Sequence, residues 1–141
     1  MRIGSEWWRA IAGAIVGFGY GSILAHLSLS AAGGGHGIFL PLILSSAPLI
    51  VLGFFGFDAA LFTAPVVWAA FGMLVACSGR EKWRKLIRVL LLLQYASGLA
   101  FLAVRGLDNL ERLERVPPEF IVLWATVYLI GQAALWWRTS S

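Results

Sequence analysis

The chain has 141 residues, 60% hydrophobic and 13% charged, with a formal net charge of +4. A soluble domain carries ~25% charged residues, so this composition excludes a water-soluble fold around one small core, and the length leaves a single domain over 1–141. One cysteine excludes an internal disulfide and any CxxC metal or redox motif.

In chain order, five nearly uncharged stretches predict an all-α polytopic membrane bundle, because a ~30 Å hydrocarbon core is crossed by ~20 helical residues. The first covers 10–32. It is preceded by the short basic stretch Met1–Arg9, but it is longer than the apolar core of a signal peptide, so it reads as a retained span. Gly13, Gly17, Gly21 and Ala25 recur every four residues. Lipid supplies no hydrophobic drive between helices, so such a small-residue stripe marks a close helix–helix approach, within the chain first and by self-association or another subunit second. Gly19, Ser22, His26 and Ser30 fall opposite the stripe, which predicts a central position for this helix. His26 is the first functional candidate, since ionisable groups in membranes mark sites and paths. The plainer reading is a neutral imidazole bonded to a serine or carbonyl near the helix end.

Gly33-Gly34-Gly35-His36-Gly37 breaks the helix. The glycine backbone there suits an anion, with His36 as a titratable neighbour, or a plain turn at the headgroups. The second stretch, 38–57, contains Pro41 and a kinking Pro48, and is expected to cross, with a re-entrant path as the alternative. Only Gly56-Phe57-Asp58 separates it from the third stretch, 59–78, near whose end Cys77 reads as a packing residue.

The basic loop that follows contains Arg80, Lys82, Trp83, Arg84 and Lys85. It reads as a topology signal and a contact for anionic headgroups rather than a nucleic-acid surface. The fourth stretch, 86–104, places Gln94, Ser97 and Gly98 on one face. Residues 108–115 predict a separate amphipathic helix lying along the interface, capped by Asp108 or Asn109 and paired Asp108/Arg112 and Glu111/Arg115. Pro117-Pro118 ends it and opens the fifth stretch, 119–137, with Thr126, Tyr128 and Gln132 inside. Trp7, Trp8, Trp136 and Trp137 flank the outer spans as interfacial anchors.

Lysine and arginine favour the cytoplasmic side. With five spans the eleven basic residues divide five against six, whereas a re-entrant second stretch gives eight against three with both termini inside. Hydrophobic length favours five.

Chemistry is sparse. The two histidines stand ten residues apart without a Cys, Asp or Glu cluster, so no metal, haem or other cofactor is expected. Ser45, Ser46 and Asp58 join the histidines in a Ser/His/Asp inventory, but no nucleophile motif accompanies them. The expectation is a non-enzymatic protein of the bacterial inner membrane, an accessory or assembly subunit acting through helix packing and lipid contact. Its partners are membrane lipids and other membrane subunits. The alternative is a small oligomeric carrier or channel with a polar path along His26, Gln94, Tyr128 and Gln132. A lipid- or quinone-directed enzyme using His36 and Asp58 ranks third.

Overall fold

The computed structural model describes residues 3–31, Ser45, 57–79, 81–113 and 117–140. The expected second span and His36 therefore lie outside the described residues, apart from Ser45 and Phe57. Four α-helices account for nearly everything described: α1 (Ile3–Ala31), α2 (Phe57–Ala76), α3 (Glu81–Leu113) and α4 (Pro118–Ser140). Two of them, over Glu6–Ser30 and Pro118–Ser140, are long and apolar enough to cross a membrane. The core helix of a soluble protein is mostly buried, yet only 28% and 17% of these two windows are. Large apolar side chains such as Val16, Phe62, Leu99 and Ile130 stand exposed.

The helices alternate in direction. Along α1, Gly13 lies against Gly72 and Ala76, Gly17 against Trp68 and Ala69, and Gly21 against Ala64 and Pro65. Partner numbers fall as α1 numbers rise, so α2 runs antiparallel. The Arg88 guanidinium donates to the Thr139 carbonyl at 2.7 Å, and the Tyr95 hydroxyl donates to Gln132 Oε1 at 2.6 Å, which makes α4 antiparallel to α3. The Tyr20 hydroxyl donates to the Tyr128 carbonyl at 3.0 Å, while Arg9 and Arg138 line one cavity, so α4 also opposes α1. The contacts close a ring in the order α1, α2, α3, α4, with α2 and α4 touching across its centre. Leu24, Trp68, Ile87, Leu91 and Trp124 fill the interior.

This packing does not support five spans. Because α1 and α2 are antiparallel neighbours, the connection between them leaves and returns at the same end of the bundle. One complete crossing between them does not fit. Apolar length alone does not establish a crossing, and 38–57 lies outside the described residues apart from Ser45 and Phe57. Ser45, completely buried, belongs to the bundle interior: its carbonyl accepts from the Trp68 indole and its Oγ from the Trp124 indole at 3.2 Å.

The separate interfacial helix at 108–115 is likewise corrected. Helix α3 runs unbroken to Leu113, so Asp108 and Asn109 are helix-interior positions rather than caps. A lone glycine costs a helix only ~1 kcal/mol, and Gly106 does not break one that continues on both sides. Helix α1 also starts earlier than the apolar run, at Ile3, with Glu6 in its first turn favouring the positive end of the helix dipole. It is not central either: its tightest neighbour is α2, Gly19 faces open space and His26 is exposed.

Polar groups within the helices are largely satisfied at home. The hydroxyls of Ser28, Ser30, Thr126 and Thr139 donate to carbonyls four residues earlier, the bonding expected where water is scarce. Helix α2 ends where the Cys77 amide donates to the Met73 carbonyl at 3.0 Å and the Ser78 hydroxyl to the Val75 carbonyl at 2.6 Å.

Candidate functional site

Two places gather polar chemistry. The first is a knot between α3 and α4, reached by Tyr20 from α1. Gln94 Nε2 donates to the Tyr128 hydroxyl at 3.2 Å, Tyr95 to Gln132 Oε1, and the Trp136 indole to the Tyr95 hydroxyl at 3.3 Å. Tyr128 stacks on Trp124 at 5.2 Å between ring centroids. The structure thus brings Gln94, Tyr128 and Gln132 together, as interlocking hydrogen bonds between helices. His26 stays outside this knot, exposed near the far end of α1. Trp136, expected as a headgroup anchor, instead turns its indole inward to Tyr95.

The second place is a cleft between α1, α2 and α4, about 740 Å³ in volume, within the range of small-molecule sites. Glycine builds it. Gly13, Gly17 and Gly72 let α1 and α2 touch backbone to backbone, which leaves a floor without side chains. Ala25, one further step along the stripe, is buried. The stripe's closest neighbour is therefore α2 of the same chain. On the α4 wall, Gly131 receives the Tyr20 ring, Ala134 leaves space and Leu135 adds apolar surface, which Val16 of α1 and Phe71 of α2 extend. Tyr20 and Trp68 close the deep end, edge to face at 4.9 Å. From Arg9 to Tyr20 the cleft follows α1 for roughly 16 Å at ~1.5 Å per residue. That matches the ~15 Å of hydrocarbon in one leaflet.

Arginine frames the mouth. Arg9 and Arg138 line both the cleft and an adjoining chamber of about 710 Å³, where Glu6, Ser78, Trp83 and Arg84 join them. Val75 and Ala76 are also shared, so the apolar cleft and the basic chamber adjoin. Lys82 sits over the Trp83 ring at 5.6 Å, and Lys85 pairs with Glu81 at 2.9 Å on the exposed side of α3. That exposed pair contributes little to stability. Trp7, Trp8 and Trp137 are exposed at the same end. Arg80 lies outside the described residues. Among those described, no three His, Cys, Asp or Glu side chains come together to hold a metal ion.

Sequence reasoning passed over Tyr20, Tyr95, Trp68 and Trp124, and read Arg9 and Arg138 only as span ends. A usable signal existed for the two tryptophans. Trp68 and Trp124 stand inside apolar segments, away from the interface that tryptophan prefers, so each indole needs an interior acceptor.

No family model matches the chain, and no curated protein or solved structure is similar to it.

Proposed function

We propose that this chain is a non-catalytic membrane protein of four crossings that holds an amphiphile in the cleft between α1, α2 and α4. It works as an accessory subunit through lipid contact and helix packing. One observation carries this reading: an apolar cleft as long as one leaflet opens at a ring of arginines. A catalytic site needs an activated group, whereas this cleft offers surface, depth and charge. Six described basic residues (Arg9, Lys82, Arg84, Lys85, Arg88 and Arg138) lie at the mouth's end of the helices, against Arg105 and Arg112 toward the other end of α3. The positive-inside bias then puts the mouth, with the start of α1 and the end of α4, on the cytoplasmic side. Since α2 already occupies the glycine stripe, a partner subunit would meet another flank of the bundle.

Native mass spectrometry of particles extracted in mild detergent tests the reading. The expected spectrum shows the chain with one retained lipid. Ala134→Trp, which fills the cleft from the α4 wall without touching the α1–α2 seam, should remove that lipid. A chain that carries no lipid, or a lipid indifferent to Ala134→Trp, would overturn the proposal.

A further inference from the structure

We infer that the amphiphile is anionic, a lipid whose phosphate sits in the basic chamber between Arg9, Arg84 and Arg138 while its tail lies in the cleft; this rests on the cleft reading above. Three guanidinium groups and one carboxylate, Glu6, line the chamber. Among the described residues the one ion pair is Lys85–Glu81, so within 4 Å none of these arginines pairs with a described carboxylate, and Glu6 offsets only one of the three charges. Three arginines against one carboxylate leave the chamber net positive, which favours an anion there.

The Nε–H groups of Arg84 and Arg88 are buried with no acceptor among the described residues. Neighbouring Arg88 commits one terminal nitrogen to the Thr139 carbonyl, which anchors α3 to α4 beside the chamber. A guanidinium fork matches the geometry of a phosphate, binding it through paired charge-assisted hydrogen bonds. Trp83 adds an amphipathic ring at headgroup level.

The adjacency of the two spaces chooses between sources of phosphate. Inorganic phosphate would fill the chamber and leave the apolar cleft empty, while a lipid fills both. A zwitterionic headgroup would bring its own cation against three arginines, so specificity arises from repulsion as well as attraction.

Native Cys77 provides the probe, because it is exposed and lines the chamber. The full chain is placed in nanodiscs of phosphatidylcholine alone or with added phosphatidylglycerol. Maleimide labelling of Cys77 is timed, and the retained lipid is identified by mass. Phosphatidylglycerol should slow labelling about tenfold, the effect of one or more charged hydrogen bonds, and should be the lipid retained. Arg9→Gln/Arg138→Gln in the same discs should lose both effects, which controls for surface potential. Arg138→Lys, which keeps the charge, reports whether the double variant merely fails to fold, and the lipid comparison on the unaltered chain needs no variant. Equal retention of the two lipids would overturn the anionic headgroup and leave the cleft standing. Retention of neither would remove the cleft reading itself. Equal slowing by inorganic phosphate in pure phosphatidylcholine discs would overturn the lipid as the source.

Discussion

Gly17→Ala destabilises the protein and Gly19→Ala stabilises it, although the two glycines share a helix and differ by two positions. Alanine at an unconstrained helix position is favoured over glycine by ~1 kcal/mol. At Gly19 an added Cβ meets nothing within 4 Å, so that gain is realised. At Gly17 the same atom falls on the Trp68 carbonyl oxygen and crowds Ala69. These are backbone atoms of α2, which cannot swing aside as a long side chain would. Overpacking of this kind costs about 1–3 kcal/mol, enough to reverse the sign. Unfolding in mixed micelles measures both variants on one scale. Shifts of the same sign would mean that α1 and α2 do not meet along this face.

Trp68→Ala produces the largest single loss. Trp68 is 1% exposed, packs against Tyr20 and Phe71, and reaches the buried Ser45 carbonyl with its indole. Removing a buried tryptophan costs about 3–5 kcal/mol, and here it also strips a donor from an interior acceptor. Trp68→Phe restores most of the volume but not the hydrogen bond, leaving a loss of about 0.5–1.5 kcal/mol for the missing donor. The ordering Ala worse than Phe, and Phe worse than the native chain, is read from the same unfolding curves. A Trp68→Ala loss below about 1 kcal/mol would show that the interior collapses freely around the gap.

The close seam was legible because its chemistry is local: Gly13, Gly17 and Gly21 repeat every four residues, and only missing side chains allow such an approach. Helix α4 was legible to within one residue at its start and three at its end, since Pro118 opens it and apolar residues run to Trp137. The number of crossings was not. It depends on how α1 and α2 lie against each other, which hydropathy over 38–57 does not report. The extra helix at 108–115 failed for a related reason. Its charged pairs support a helix equally well as a continuation of α3 or as a separate piece. The cleft could not be foreseen, because Arg9 and Arg138 stand near opposite ends of the sequence and meet only through the ring order of the helices. His26 attracted attention as an ionisable residue in an apolar run, yet the hydrogen-bonded centre was built from tyrosine and glutamine instead.

Sidedness of the chain tests the proposed four-crossing bundle most directly. The native chain, with Cys77 alone, and the Glu6→Cys/Cys77→Ser chain are labelled in intact cells with a membrane-impermeant maleimide, then again after the membrane is opened. Both positions lie at the same end of the helices, beside the basic chamber. Four crossings with the basic end inside predict that neither site reacts until the membrane is opened. Reaction of one site from outside and the other only from inside would contradict the even number of crossings and restore a complete span between α1 and α2.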